Sequence, residues 1–310
     1  MSCCRICQGQ TGTVYYAKER LIGLSEEFRY FHCVTCGCLQ LDQDVENPAR
    51  FYGSGYGTVH ASALKQALRT VMYYFSFSPS DLLAKSMAVF TPGCNYGLMR
   101  VLRKLPKDID ILDVGCGSGR LLHSLRSLGF TGRLIGIDAY LKQNQTFGNH
   151  VAIRKAELTS FADAKGFDLI CLMHTFEHLA KQEESLNAIK RLLKRGGLCV
   201  ISIPIVGSAQ WHRFGTQWVQ MDPPRHLFLH TPHSLRMLAE RNGMKVSCTI
   251  RESSAFQFWG TALVRQGVPI IPMSKSYVRS LWRIPLDMAR AAWADHKGTG
   301  DAATFVLARQ

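Results

Sequence analysis

Asp110-Ile-Leu-Asp-Val-Gly-Cys-Gly-Ser-Gly-Arg120 joins an apolar run to three closely spaced glycines. Ile109, Ile111, Leu112 and Val114 read as a buried strand with Asp113 near its end, and Leu121 to Leu128 carries apolar residues at helical spacing. Strand, glycine turn and helix form the opening unit of a doubly wound α/β sheet, in which a ligand lies across the strand ends. Glycine in the turn permits positive φ and removes side chains that would hold a ligand off the backbone.

A dinucleotide fingerprint needs G-x-G-x-x-G, and Arg120 stands where its third glycine would fall. That counts against a nicotinamide cofactor. The next apolar run, Leu134-Ile-Gly-Ile-Asp138, ends in an acid about twenty residues on, where a carboxylate takes a ribose diol. An acid on the first strand beside the glycines suits a ligand with an ammonium group. On Asp113-Val-Gly-Cys-Gly-Ser-Gly119 and Gly136-Ile-Asp138 the chain resembles the class I S-adenosylmethionine (SAM) methyltransferases. The resemblance implies a Rossmann-like seven-stranded sheet. It puts Gly115, Cys116, Gly117 and Gly119 against the methionine part of SAM, Asp113 at its ammonium and Asp138 at the ribose. In such enzymes a tyrosine ahead of the core often closes over the cofactor, a role open here to Tyr56 or equally to a packed linker aromatic. An acid after the third strand binds adenine, and Glu157 is the nearest candidate.

Ahead of this core stand Cys4-Arg-Ile-Cys7 and Cys33-Val-Thr-Cys36, with 25 residues between them. Each C-x-x-C offers two thiolates on one side, and two such knuckles complete a tetrahedral Zn²⁺ site. Cys3, His32 and Cys38 compete as ligands, and reduced buried thiols or a redox pair are the alternatives to a metal. Thr13 to Tyr16 and Phe28 to Phe31 would be strands of a zinc ribbon too small to hold itself without structural zinc.

Bulk properties bound the rest. The 310 residues suffice for one large or two modest domains, with 46% hydrophobic and 19% charged residues. No signal-like apolar start and no membrane-length apolar run occurs, and eleven cysteines are an odd number, so a cytoplasmic enzyme is expected. The formal net charge of +14 favours an anionic partner, while the scatter of basic residues argues against a dedicated nucleic-acid module.

The expected domains are a ribbon over 1–42, a linker and helical cover over 43–106, a SAM-binding core over 107–252 with 302–310, and an insertion over 253–301. Helices are expected over His60–Tyr74, Ser80–Phe90 and Gly97–Leu105. Val151–Arg154 and Phe167–Met173 continue the sheet as its third and fourth strands, and Gln182–Lys194 is an amphipathic helix ended by Gly196 and Gly197. Leu198–Ile203 is the fifth strand, Met244–Ile250 the sixth and Ala303–Ala308 the seventh. Between the last two the fold normally has a hairpin, so residues 253–301 are an insertion. It is read as a substrate lid rather than a membrane-surface helix over 276–293, because Pro285 interrupts the latter.

His174-Thr-Phe-Glu-His178 closes the fourth strand at the edge where open α/β sheets bind ligands. Two imidazoles and a carboxylate there can serve as base and orienter. The run resembles the Glu-His of the group that includes ubiquinone-biosynthesis O-methyltransferases and sugar methyltransferases, where it also orders the loop beside the cofactor. His178 and Glu177 are therefore catalytic candidates and His174 a cofactor neighbour. The loop after the fifth strand carries Trp211, Trp218 and Pro224-Arg-His226, making His226 the second candidate base. Arg213, Arg225 and His226 could bind a diphosphate, and the tryptophans could stack on a ring. The resemblance and the charge together imply methyl transfer to a small anionic acceptor, a nucleotide- or lipid-linked sugar. An RNA methyltransferase, a quinone-type lipid O-methyltransferase and a non-catalytic SAM-binding protein are the alternatives.

Overall fold

Ile111, Leu112 and Val114 are buried, as a strand covered on both faces requires, and they lie in β4 (Ile111–Val114). The computed structural model describes residues 3–52, 71, 73–78, 80, 95–147, 151–271 and 283–310. Tyr56, most of the two helices expected over His60–Tyr74 and Ser80–Phe90, and residues 276–282 lie outside the described residues. The chain divides into two compact units: 1–53 with 203–238 and 251–303, and 54–202 with 239–250 and 304–310.

The first unit holds a four-stranded sheet of β1 (Thr11–Lys18), β2 (Glu27–Cys33), β3 (Leu39–Leu41) and β10 (Phe228–Leu229), in that spatial order. β1–β2, β2–β3 and β3–β10 all pair antiparallel. The expected ribbon is thus a longer sheet, completed by a strand from the loop read as substrate-facing. Three helices join it: α4 (Ala209–Phe214), α6 (Phe256–Arg265) and α7 (Ile284–His296). Its apolar core runs from Phe28, Tyr30 and Phe51 to Trp211, Trp218 and Leu263. Pro285 does not break a helix; it occupies the first turn of α7, where a missing N–H costs nothing.

The second unit carries β4, β5 (Leu134–Asp138), β6 (Gln145–Phe147), β7 (Val151–Lys155), β8 (Phe167–Met173), β9 (Leu193–Pro204), β11 (Met244–Glu252) and β12 (Ala302–Arg309). Their order is β11-β12-β9-β8-β4-β5-β7-β6. The seven expected strands are present. The eighth, β6, comes from a polar segment without strand signal and pairs antiparallel with β7 at the edge. Helices α1 (Tyr96–Leu102), α2 (Arg120–Ser127), α3 (Gln182–Leu192) and α5 (Pro232–Arg241) complete the order of elements. Asn95 caps α1, its side chain accepting the Leu98 N–H at 2.7 Å, and Thr231 Oγ1 caps α5 by accepting the Ser234 N–H at 3.0 Å. No helix among the described residues is long and apolar enough to cross a membrane.

Helix α3 stops two residues earlier than expected, because Leu193 pairs with Phe167 and Lys194 has a different task. Its Nζ lies 2.9 Å from Asp110 Oδ2 and 2.8 Å from Asp168 Oδ2. Arg133 bridges Asp110 and Asp163 at 3.1 and 3.0 Å. Burial alone would raise the Asp110 carboxyl, but Lys194 and Arg133 hold it at about 2. This network ties β4, β5 and β8 together at their amino ends and leaves the carboxyl ends for chemistry.

Candidate active site

Parallel pairing sets Asp113 beside Gly136 on one side and Cys171 on the other, so the carboxyl ends of β4, β5 and β8 lie level. The chain leaves β4 through Gly115, Gly117 and Gly119, with φ of 74°, 51° and 71°. These are left-handed conformations that side-chain-bearing residues rarely adopt. The glycines differ in what surrounds them. A Cβ on Gly115 would come 2.2 Å from Thr175 Oγ1, and one on Gly119 would come 2.2 Å from Ile153 Cδ1. A Cβ on Gly117 would meet no atom within 4 Å among the described residues other than its chain neighbours. Gly115 and Gly119 are therefore packed against neighbours, while Gly117 presents bare backbone to open space. Gly136 makes room for Cys116, whose Sγ would lie 2.6 Å from a Cβ there. Burial pushes the Cys116 thiol well above its ordinary range, with the charge of Asp113 adding to it. Its Sγ packs toward Gly136, where no side chain stands.

Asp138 ends β5 and is 4% exposed. Its Oδ2 accepts the Gly117 N–H at 3.0 Å and its Oδ1 the Tyr140 N–H at 2.9 Å. Asp113 is equally buried, and that burial, helped by the nearby Asp138 charge, pushes its carboxyl up to about 7. Two buried carboxyls beside an open glycine form a site that gains most from a ligand bringing a positive charge and hydroxyl donors. The ammonium and ribose diol of SAM supply both, so these residues fit that cofactor.

β8 delivers the histidine run. His174 has a φ of 50°, an unusual conformation that carries its exposed ring away from the strand direction. Phe176–His178 form a 3-10 turn, and the fully buried Glu177 has its Oε1 3.5 Å from His174 Nδ1. The carboxylate thus faces an imidazole of its own run. His178 is half-buried and its N–H donates to Thr175 O at 3.0 Å. Thr175, which no sequence motif singles out, fills the space that Gly115 leaves. Glu157 is exposed, two residues beyond Lys155, the partner of Asp138 in the sheet.

These features decide the family, together with a methyltransferase-domain family model that matches residues 93–249, just over half of the chain. The chain belongs to the methyltransferase-domain family. A ubiquinone biosynthesis O-methyltransferase of Caulobacter sp. (strain K31) is 33% identical over 101 residues, 30% of this chain and 39% of that protein. One from Pelagibacter ubique is 27% identical over 159 residues, 44% of this chain and 65% of that protein. This methyltransferase-family chain therefore spans about two fifths to two thirds of the curated relatives it matches. Among solved structures, the methyltransferase in complex with the Haloferax volcanii Trm112 methyltransferase activator is similar over 79% of this chain and 94% of its own. It is 15% identical, with a TM-score of 0.48. A Burkholderia thailandensis 1,6-didemethyltoxoflavin-N1-methyltransferase with bound S-adenosylhomocysteine covers 89% of this chain and 96% of its own, at 13% identity and a TM-score of 0.45.

The first unit contains a separate cysteine centre. The sulfurs of Cys4, Cys7, Cys33 and Cys36 all lie within 4.8 Å of one another. Cys4 and Cys36 are 3.6 Å apart and Cys7 and Cys33 3.5 Å, close to the roughly 3.8 Å edge of a tetrahedron with 2.3 Å Zn–S bonds. Cys3, His32 and Cys38 stand outside this group. Gln40 Nε2 donates to Cys4 Sγ at 2.9 Å and the Ile6 N–H at 3.3 Å. The bond from Cys36 leads the causes that pull the Cys4 thiol down to about 4, while Cys36 is pushed up. Four convergent sulfurs, with N–H donors onto Cys4 and Cys33, fit Zn²⁺. All ten described cysteines are free of disulfides.

Two expectations for the loop after β9 are corrected. Trp218 is fully buried in the core with its Nε1–H donated to Asp301 Oδ2 at 3.1 Å, and Trp211 packs edge-on against Tyr15 and Trp218. They are core rings and do not stack on a ligand. Arg225 is paired with Asp222, so its charge is already matched. His226 is 4% exposed, with Nδ1 2.7 Å from Gln220 O and Nε2 3.5 Å from Asp222 Oδ2.

Proposed function

We propose that the chain transfers the methyl group of SAM to a small anionic acceptor, a nucleotide- or lipid-linked sugar. The observation that carries this reading is the buried Asp113 and Asp138 pair around the open Gly117. SAM supplies an electrophilic methyl carbon. Asp113 would hold the ammonium, Asp138 the ribose hydroxyls and the Gly115–Gly119 backbone the methionine part, with Glu157 toward adenine and Tyr56 as a closing ring. His178 would take the proton from the acceptor hydroxyl, its half-buried ring suiting a group that must change charge during the reaction. Glu177 would orient the histidine run, and His226 is the second candidate base. Zn²⁺ on Cys4, Cys7, Cys33 and Cys36 would be structural, since four thiolates leave no open coordination position. The free thiols agree with a reducing compartment such as the cytoplasm.

The net charge of +14 supports an anionic acceptor. The names of the relatives favour a second reading, O-methylation of a quinone-type phenol. One assay separates them: transfer of radiolabelled methyl from SAM to a panel of sugar nucleotides and to polyprenyl catechols. Label on a sugar nucleotide supports the first reading, and label only on the catechol replaces it with the second. Failure to bind SAM in calorimetry would overturn both.

A further inference from the structure

The first unit encloses a cavity of about 740 Å³, within the range of small-molecule sites. Its walls come from α4, α6 and α7, so most of its lining belongs to the insertion that separates the last two sheet strands. Four arginines line it against one acid, Asp287, leaving a formal charge of +3 around the space. Arg290 is fixed by the buried Asp287 at 3.1 Å. Arg213 and Arg265 have no acidic partner among the described residues. Their guanidinium carbons lie 5.2 and 5.1 Å from the Phe214 ring centroid instead. Two guanidinium groups near one ring and without an acidic partner offer charge-assisted donors to an anion.

A second, independent observation also points to a ligand. Gln210 lines the same cavity and is 7% exposed, and its Oε1 is buried without a hydrogen-bond donor among the described residues. An acceptor left in that state costs about 1–3 kcal/mol, which a ligand hydroxyl or N–H would recover. Trp259 and Trp293 add flat apolar surface to the lining, and Trp293 is 63% exposed. A large exposed indole suits stacking on a planar group.

We infer that this cavity binds an organic diphosphate. Arg213 and Arg265 take the diphosphate with Arg290, Gln210 Oε1 accepts from a sugar hydroxyl or base N–H, and the tryptophans cover the remaining apolar or aromatic group. The inference rests on the anionic-acceptor reading above and names the handle by which that acceptor is held.

The test is calorimetry and tryptophan fluorescence on the full zinc-loaded chain at 150 mM salt, which screens loose attraction to a basic surface. The probes are UDP, GDP, CDP and dTDP, then geranyl diphosphate, then inorganic pyrophosphate. SAM affinity is measured on the same samples. At least one ester should bind at one site with Kd below about 1 mM. The Arg213→Gln, Arg265→Gln double variant should lose about tenfold or more, which is 1.4 kcal/mol, with SAM affinity unchanged. Gln210→Met should weaken the ester several-fold while keeping or raising Tm, a combination that misfolding does not produce. Preference for a nucleotide or for geranyl diphosphate tells a nucleotide-linked from a lipid-linked source. Pyrophosphate binding as tightly as every ester, or no ester binding at 5 mM, overturns the inference while leaving SAM binding to stand by itself. Ester binding without SAM binding retains the cavity and removes the methyltransferase reading.

Discussion

Asp138 accepts the Gly117 N–H at 3.0 Å, so the carboxylate proposed for the ribose also fixes the glycine of the β4 turn that, of Gly115, Gly117 and Gly119, no described side chain crowds. Asp138→Ala should weaken SAM binding by about 10–100-fold, since it removes a charged acceptor and frees the loop. Asp138→Asn keeps one acceptor oxygen and should lose less. Titration calorimetry with both variants checks the ordering, and wild-type affinity in Asp138→Ala would remove Asp138 from the site.

Asp113 gives the site a pH dependence of defined sign. Its carboxyl is pushed up to about 7, and a cationic ligand group needs it ionised. SAM affinity should therefore rise with pH through about 7 and level off above it, falling by up to about tenfold per unit below. Without ligand the sign is opposite: stability from this group is full below the ordinary carboxylate range and is lost as pH rises through about 7. Asp113→Asn should flatten both profiles. A wild-type SAM titration that is flat between pH 5.5 and 8 would show that Asp113 does not face the ammonium.

Gly117→Ala and Gly119→Ala make a matched pair. Both put a Cβ on a left-handed residue, at a cost of roughly 1 kcal/mol. Only at Gly119 does that Cβ meet Ile153, so Gly119→Ala should lower stability by about 2–4 kcal/mol in thermal unfolding. Gly117→Ala should cost little stability and much SAM affinity. The reverse pattern would mean that Gly117 is not the contact surface.

The sheet, its carboxyl-edge acids and the cysteine knuckles were legible because each is a local pattern. Leu134–Asp138 and Phe167–Met173 form strands with the predicted bounds, since continuous apolar runs between turn residues admit little else. What was not legible depends on distant partners. Gln145–Phe147 has no strand pattern of its own and becomes one by pairing with β7. Phe228–Leu229 looked like substrate loop and instead pairs with β3, nearly two hundred residues earlier. Lys194 looked like a helix-end charge until Asp110 and Asp168 met beside it. Trp218 looked like a ligand-stacking ring because the sequence does not show Asp301 taking its N–H.

Removing zinc should melt the first unit's sheet. β1 and β2 run from one knuckle to the other, and the sulfurs of the two converge within 4.8 Å. Cys36→Ser or a strong chelator should lower Tm by roughly 10 °C and release one Zn²⁺ per chain by elemental mass spectrometry. Full retention of Tm in zinc-free protein would make the cluster a set of reduced thiols.

His178→Ala should reduce kcat by about 10²–10⁴-fold with little change in SAM affinity if His178 is the base. His226→Ala serves as the comparison, and its buried Nδ1 bond to Gln220 O predicts a loss of stability as well. A larger kcat loss in His226→Ala at equal stability would transfer the role.

Strand β12 enters between β9 and β11, and β10 adds to the edge of the other sheet beside β3. A ribosome therefore delivers β9 and β11 before the strand that joins them, and β1 to β3 before the edge strand that completes their sheet. During synthesis the edge of β3 waits for β10 over more than half of the chain, and the facing edges of β9 and β11 wait for its last residues, so neither sheet closes until the carboxyl-terminal part has emerged.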